Sequence, residues 1–355
     1  MNITFLKQLP AKADDVSNFN DSKGFVLTIG NFDGLHLGHQ AMLKQTIELA
    51  TANNLATAVM VFEPMPKEYF SPKTAPARLM NLAETKFVFS RFSHIDKGVD
   101  QLFVVDFDEA FRSLSAHEFA DMLENQLNVK AVVLGDDFRF GHDRAGNSEF
   151  LKQYGFFVES LSTVKDIKQN HERISSTRIR TLLAKGDLDK ASELLGRDYE
   201  MIGEVQHGDK IGRTLDFPTA NVALNRIQPA LHGVFAVDVQ ILDEFGHVVE
   251  NGWEQVGESS INGEQKVGIR GLAPNSLFGT ANIGIRPAVN DLVDRLDWRL
   301  EVHFPEFKAD LYGKILKVRF LYYLHGERKY DGLEALKAGI KQDVIDLLAW
   351  RKEQS

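Results

Sequence analysis

The stretch that decides the fold is Thr28-Ile29-Gly30-Asn31-Phe32-Asp33-Gly34-Leu35-His36-Leu37-Gly38-His39. It follows the apolar run Phe25–Leu27, typical of a buried strand, and leads into residues 40–50, whose apolar side chains recur at helical spacing. A turn between a strand and a helix lies where an open α/β sheet binds its ligands. Glycines let the backbone approach a polyphosphate closely, and the free N–H groups of the helix start attract anions. The stretch therefore predicts a phosphate-binding turn.

The two histidines of this stretch, His36 and His39, are three residues apart. On a first helical turn their imidazoles lie side by side, where two donors can stabilise charge developing on a phosphate. Ordinary loop histidines are the alternative. A zinc site is disfavoured because no cysteine or matching carboxylate pair stands nearby to complete the ligand shell.

Residues Gly30 to His39 resemble the signature of the nucleotidyltransferase superfamily, which transfers AMP or CMP onto a phosphate. The Asn-Phe-Asp-Gly form is most similar to the bacterial bifunctional riboflavin kinase/FAD synthetase family. This resemblance implies catalytic roles for His36 and His39. It implies ATP contacts for Gly30, Phe32, Asp33 and Gly38.

Composition favours a soluble chain of two domains, since 355 residues exceed one ordinary domain. The net charge of −9 argues against a general nucleic-acid binder. The absence of cysteine excludes disulfides, iron–sulfur clusters and thiol catalysis. No segment resembles a signal peptide or a membrane span, so we expect a cytoplasmic protein without membrane or nucleic-acid partners.

In the first half, strand patterns alternate with helix patterns, which predicts a Rossmann-like, doubly wound, largely parallel sheet. The predicted strands are residues 25–27, 55–62, 101–107 and 129–135, and the predicted helices are residues 40–50, 79–92 and 115–127.

The loop from Gly135 to Gly141 carries Phe138 and Phe140. These rings suit stacking on a flat ligand ring, but a loop anchored by one aromatic is equally consistent with the local residues. The family resemblance implies flavin contacts for Asp137, Phe138 and Phe140.

The segment from Arg173 to Arg180 places hydroxyls at a helix start with arginines one turn in, which indicates a second anion-binding helix N-terminus. A capped helix with a solvated basic face is the alternative. The resemblance implies ATP contacts for Arg173, Ser176 and Thr177 and a catalytic role for Arg180. A class I aminoacyl-tRNA synthetase, which also has paired histidines, would carry a lysine-rich loop here, and this chain does not.

In the second half, after Tyr199, short alternating strands are separated by glycine and proline, which predicts a small antiparallel barrel. A closing helix follows, with an apolar stripe formed by Leu333, Leu336, Ile340, Val344, Leu347 and Leu348. We expect an adenylyltransferase domain over residues 1–187 and a kinase domain over residues 188–355.

The stretch from Gly208 to Asn221 is not a P-loop, because its second glycine is one residue early and arginine replaces lysine. On extended backbone, Thr219 and Asn221 face the same way and suit a hard cation held with phosphates, although Pro-Thr-Ala-Asn alone is a turn. The motif resembles that of riboflavin kinases, which implies Mg²⁺ binding by Thr219 and Asn221. It also implies ATP binding by Gly208, Gly212, Arg213 and Pro218.

Glu301 lies in Leu300-Glu301-Val302-His303, where alternation alone also allows an ordinary outward-facing glutamate. The resemblance implies that it is the base that deprotonates the ribityl 5′-hydroxyl. The chain departs from the family at Ala288, where threonine is usual, and in a longer, glycine-rich connection from about Gly246 to Gly279.

Together these features imply an enzyme that phosphorylates riboflavin to FMN with ATP and Mg²⁺ and then adenylylates FMN to FAD, releasing pyrophosphate. We expect small-molecule substrates only and a monomer or weak homo-oligomer. The alternatives are a nucleotidyltransferase for another phosphate ester with a non-catalytic barrel, or a flavin carrier or sensor.

Overall fold

The computed structural model describes residues 1–7, 23–162, 164, 166, 172–207, 219–250, 252–253, 257–259, 273–286, 297–305 and 307–353. The chain divides into two compact units. The first consists of Met1–Pro76 and Thr85–Ser176, and the second of Ala77–Glu84 and Thr177–Ser355.

The first unit is built on a six-stranded sheet in the order β1-β6-β3-β2-β7-β8, with every strand pair parallel. The doubly wound sheet is therefore confirmed, although the sequence reasoning did not find the edge strands β1 and β8. The strands are β1 (Asn2–Leu6), β2 (Phe25–Ile29), β3 (Ala56–Glu63), β6 (Gln101–Asp106), β7 (Val129–Gly135) and β8 (Phe157–Leu161), and a small hairpin pairs β4 (Ser93–His94) with β5 (Lys97–Gly98).

Helices connect these strands. They are α1 (Leu37–Ala52), α2 (Pro66–Phe70), α3 (Leu82–Arg91), α4 (Glu109–Arg112), α5 (Ala116–Asp121), which continues as a π-helix (Met122–Gln126), a short 3₁₀ turn (His142–Arg144) and α6 (Ser148–Tyr154).

The central strand β2 is fully buried. Its neighbours in the sheet are β3 on one side and β7 on the other, so the strand order reverses at β2. Such a reversal of strand order opens a crevice at the carboxyl ends of the strands. The histidine turn follows β2 and the Phe138 loop follows β7. The topology therefore brings the two motifs to one edge of the sheet.

The second unit is a closed antiparallel barrel in the order β10-β14-β13-β11-β16-β9, as the sequence predicted. Its strands are β9 (Glu200–Gln206), β10 (Thr219–Val222), β11 (Gly233–Leu242), β13 (Ser276–Arg286), β14 (Asp297–His303) and β16 (Ile315–His325). The other elements are β12 (Gly257–Ser259), β15 (Phe307–Ala309), α7 (Ser176–Ala184), which begins at the last residue of the first unit, α8 (Leu188–Leu195) and α9 (Leu333–Glu353).

Among the stripe positions whose burial the structure describes, the closing helix α9 differs from the prediction at one. Leu347 is buried against Ala236 and Phe278, but Leu348 is 47% exposed. Trp350 lies on the Leu347 side instead, stacked on Phe278. Leu348 was predicted wrongly because it is one residue past Leu347, about 100° further around the helix.

The predicted helix over residues 79–92 begins later, at Leu82. Asn81 caps it, since its Oδ1 accepts from the backbone N–H of Glu84. The residues before the cap are drawn into the second unit, where the Leu79 carbonyl accepts from the Tyr199 hydroxyl at 2.8 Å. Tertiary hydrogen bonds here replace a helical turn that the periodicity alone favoured.

Candidate active sites

The paired histidines lie at the start of α1. His36 is its N-cap, and its Nδ1 accepts from the backbone N–H of His39 at 3.3 Å. Because Nδ1 is the acceptor, the proton of a neutral His36 is carried by Nε2. The two rings stack with centroids 3.7 Å apart and an interplanar angle of 15°. The local fold therefore sets both the tautomer and the orientation of His36.

His39 is held as a neutral ring. Burial lowers its pKa well below the ordinary histidine value of 6.5, and the charges of His36 and Arg173 lower it further. Its Nδ1 is buried and has no hydrogen-bond partner within the described part of the chain. A buried polar atom of this kind fits a site whose partner is a ligand.

A cavity of about 870 Å³ opens at this turn. Its size is in the range of small-molecule sites, which run from about 300 to 1,000 Å³. It joins three motifs that lie far apart in sequence. The predicted residues that line it are Gly30, Phe32, His36, Gly38, His39, Asp137, Phe138, Phe140, Arg173 and Ser176.

Three predicted residues do not line this cavity. Asp33 is buried, and its carbonyl accepts from the Ser176 hydroxyl at 2.8 Å, which ties the two phosphate motifs together. Thr177 and Arg180 lie on α7 within the second unit. There the Arg180 Nε donates to the Ala77 carbonyl at 2.5 Å.

The two loop phenylalanines play different structural parts. Phe140 is 7% exposed and packs against Phe119, with ring centroids 4.8 Å apart. Phe138 is half-buried and stacks on Phe140 at 5.7 Å. Phe140 is thus a core residue at the cavity wall, and Phe138 is the more accessible ring of the pair.

Sequence reasoning missed an aromatic wall of the same cavity, formed by Phe62, Phe70, Phe107 and Phe111. A signal was available for two of them. Phe62 lies at the carboxyl end of β3, and Phe107 directly follows β6. Carboxyl ends of parallel strands meet at one edge of the sheet, so both rings belong with the histidine turn.

In the second unit, the pairing register of the strands brings residues of the predicted kinase motifs side by side. Asn221 on β10 pairs with Glu301 on β14, which pairs with Asn282 on β13. Directly paired residues project to the same face of a sheet. Their sequence neighbours Val302 and Ala281 are fully buried, so this polar row lies on the face opposite to the barrel core.

A second polar row runs beside the first, since Thr219, His303 and Thr280 pair in the same manner. Asn221 Oδ1 is buried and has no hydrogen-bond partner in the part of the chain that the structure covers. The structure therefore brings Thr219, Asn221 and Glu301 together. Gly208, Gly212, Arg213, Pro218 and Ala288 lie outside the described residues.

Part of the long connection in the kinase half is described. Trp253 is buried and packs against Phe304 and Phe307, with ring centroids 5.1 and 5.5 Å away. β12 within the same connection pairs with β15. The connection therefore packs on the chain that directly follows β14, the strand of Glu301.

Two family models match this chain. The FAD synthetase model covers residues 18–178, and the riboflavin kinase model covers residues 195–350.

Curated relatives match nearly the whole chain. A bifunctional riboflavin kinase/FMN adenylyltransferase of Haemophilus influenzae is 38% identical over 328 residues, 91% of this chain and 92% of the relative. The Pseudomonas fluorescens protein of the same description is 39% identical over 329 residues, covering 91% and 92%. This chain belongs to that family. Its FAD synthetase domain is N-terminal and its riboflavin kinase domain is C-terminal.

A solved structure matches most of this chain. A protein from Streptococcus pneumoniae, titled a macrolide-efflux protein, is 29% identical with a TM-score of 0.65, covering 92% of this chain and 95% of its own. Among the helices that the structure describes, none combines the length and apolarity needed to span a bilayer.

Proposed function

We propose that the two reactions of the family take place at the two sites above, in domains spanning residues 1–187 and 188–355. The kinase domain phosphorylates riboflavin with ATP to give FMN, and the adenylyltransferase domain transfers AMP from ATP to FMN, giving FAD and pyrophosphate. The observation that carries the assignment is the stacked histidine pair at a helix start, opening on a cavity shared with the Phe138 and Arg173 loops.

In the adenylyltransferase site, an FMN phosphate oxygen attacks the α-phosphorus of ATP, and the bond to pyrophosphate breaks. The Nε2–H of His36 and the neutral ring of His39 stabilise the charge on the α-phosphate. The turn residues Gly30, Phe32, Asp33 and Gly38 hold ATP. The β- and γ-phosphates are assigned to Arg173, Ser176, Thr177 and Arg180.

The flavin ring of FMN is assigned to the aromatic side of the same cavity. Phe138 offers the accessible ring, and Asp137 lies beside it, with its Oδ2 3.3 Å from Arg173 Nη2. Phe140 supports Phe138 from beneath. Aromatic faces offset by several ångströms suit stacking on a flat heteroaromatic ring.

Mg²⁺ fits the residues of the kinase site. Hard cations prefer oxygen ligands, and Mg²⁺ uses few protein ligands while keeping phosphates in its shell. Asn221 Oδ1 is an oxygen without a protein partner among the described residues, and Thr219 projects to the same face two residues earlier. When bound, the ion would neutralise charge on the transferred phosphate.

Glu301 is assigned as the base of the kinase step. The ribityl 5′-hydroxyl gives its proton to the carboxylate while its oxygen attacks the γ-phosphorus, and ADP leaves. Asn221 and Glu301 are cross-strand neighbours, so an ion held by Asn221 would lie near the base. The assignment of ATP contacts to Gly208, Gly212, Arg213 and Pro218 stays a prediction from the motif.

We further infer a cytoplasmic enzyme that acts on small molecules as a monomer or weak homo-oligomer. The net charge of −9 and the absence of cysteine support this setting.

A timed chromatographic assay with riboflavin, ATP and Mg²⁺ tests the two-site assignment. The wild type should form FMN and then FAD. His36→Ala should accumulate FMN, with FAD formation falling by about 100-fold or more. Glu301→Ala should scarcely form FMN, but it should still convert added FMN to FAD.

Matched controls are His117→Ala in the first unit and Glu204→Ala on β9, which should leave both steps unchanged. FMN that becomes FAD while riboflavin stays untouched in the wild type would mean that the barrel only binds a ligand. Tight flavin binding without either product would favour a carrier.

A further inference from the structure

The polar row of the barrel includes one residue, Asn282, that is assigned neither to the metal nor to the base. Asn221, Glu301 and Asn282 stand side by side on three neighbouring strands. Neighbouring strands are about 4.8 Å apart, so the outer two side chains reach opposite sides of the Glu301 carboxylate. The row therefore has one side at Asn221, which would hold the metal, and an opposite side at Asn282.

Phosphoryl transfer assigns these two sides to different substrates. The attacking and leaving oxygens lie roughly in line through the transferred phosphorus, and ATP is assigned to the side of Asn221, the residue that would hold Mg²⁺. ADP must then leave on the Asn221 side of Glu301. The remainder of the acceptor alcohol must extend over β13, on the side of Asn282.

Burial selects Asn282 from the other side chains on this face of β13. Asn282 is exposed, whereas Phe278 and Thr280 are 6% and 7% exposed. At the next position on this face, Gly284, a side chain would collide with the Glu327 carboxylate, whose Oε1 accepts from the Ile285 N–H at 3.2 Å. Asn282 is thus the polar group of this strand that an acceptor can reach.

We propose that Asn282 binds the 4′-hydroxyl of riboflavin, the hydroxyl next to the one that is phosphorylated. Its amide offers both a donor and an acceptor, as a hydroxyl requires. Holding the 4′-hydroxyl fixes the rotation of the terminal carbon and directs the 5′-hydroxyl to Glu301. Asn282 is therefore a substrate-binding residue that selects a polyol. This inference rests on the assignment of Glu301 as the base.

The test combines a protein change with a substrate change. Initial rates of flavin phosphorylation are measured for the wild type and Asn282→Ala, with riboflavin and with 4′-deoxyriboflavin. With riboflavin, Asn282→Ala should lower kcat/KM by about tenfold, the usual effect of one lost hydrogen bond, and leave KM for ATP unchanged. With 4′-deoxyriboflavin, the wild type should show a similar loss and Asn282→Ala no further loss.

A matched control is Gln342→Ala, an exposed amide on α9 of the same unit, which should change neither constant. Denaturation followed by tryptophan fluorescence reports that the barrel unit of each variant is folded, because Trp253, Trp298 and Trp350 all lie in it. The proposal is overturned if Asn282→Ala behaves as the control, or if the two losses multiply. If Glu301→Gln still forms FMN at the wild-type rate, the base assignment fails first, whatever Asn282 does.

Discussion

At the scale of single residues, the histidine site depends on an absent side chain. A Cβ at Gly38 would lie 3.1 Å from His36 Cε1 and 3.2 Å from its Nδ1. These distances are shorter than ordinary van der Waals contact, so the ring would have to move. The glycine of the motif therefore permits the ring stack.

Gly38→Ala should separate activity from stability. The displaced His36 ring should lose the hydrogen bond from the His39 N–H, and FAD formation from FMN should fall by about 10- to 100-fold. Thermal stability should change little, because the helix preference of alanine over glycine, up to about 1 kcal/mol, offsets the loss of the capping hydrogen bond. The rate of FMN formation in the same protein is the control. Unchanged FAD formation would contradict the account of the stack.

The buried neutral His39 predicts a pH dependence. Its pKa is lowered in the folded protein, whereas the unfolded chain takes up a proton near the ordinary value of 6.5. The unfolded state then binds more protons, so stability from this residue is present above 6.5 and is lost as pH falls towards the native pKa. The slope is about 1.4 kcal/mol per pH unit at most.

Urea unfolding of the wild type and His39→Asn between about pH 5 and 7 measures this effect, since the window begins at the ordinary histidine pKa. The variant should show a shallower fall of stability below 6.5. Equal slopes would mean that the pKa of His39 is the same in the folded and unfolded states.

At the scale of elements, the segment Ala77–Glu84 includes the first residues of α3 and belongs to the barrel unit, whereas the rest of α3 belongs to the first unit. Glu84 forms an ion pair with Arg226, and the two side chains are 2% and 0% exposed. The Glu84 carboxylate also accepts from the backbone N–H groups of Asn81 and Ile202, each at 2.7 Å. Arg226 in turn donates to the carbonyls of Arg78, Leu79 and Leu224.

Arg226→Met should destabilise the second unit by about 3–5 kcal/mol, because it leaves a buried carboxylate without its counter-charge. Adding Glu84→Gln should restore part of that loss, since it removes the buried charge while the amide oxygen still accepts from one of the two backbone donors. Chemical denaturation followed by tryptophan fluorescence reports the barrel unit, because Trp253, Trp298 and Trp350 all lie in it. Lys190→Met, at an exposed pair with Asp187, is the control and should leave the midpoint unchanged. No recovery in the double variant would contradict the charge argument.

At the scale of the whole molecule, each unit meets the demands of its reaction in a different manner. The parallel sheet collects loops at the carboxyl ends of its strands, which suits a large cavity for two substrates. The barrel instead aligns side chains in rows through strand register, as Asn221, Glu301 and Asn282 show.

The sequence by itself determined the two fold classes and predicted most of the motif residues that line the first cavity. Periodicity and turn chemistry are local properties, so β2, α1 and the barrel strands could be predicted from neighbouring residues. The motifs from Gly30 to His39, and at Thr219 and Asn221, carry their chemistry within a few positions. The family resemblance then indicated which distant motifs belong together.

The tertiary structure alone decided which residues from distant parts of the sequence contact each other. Whether Phe140 faces a ligand or the core depends on Phe119 and Phe150, which come from separate helices. The place of Asn282 beside Glu301 depends on strand register, and the exit of residues 79–81 from the predicted helix depends on partners more than 100 positions away. These outcomes follow from packing and hydrogen bonding between segments, which no local pattern encodes.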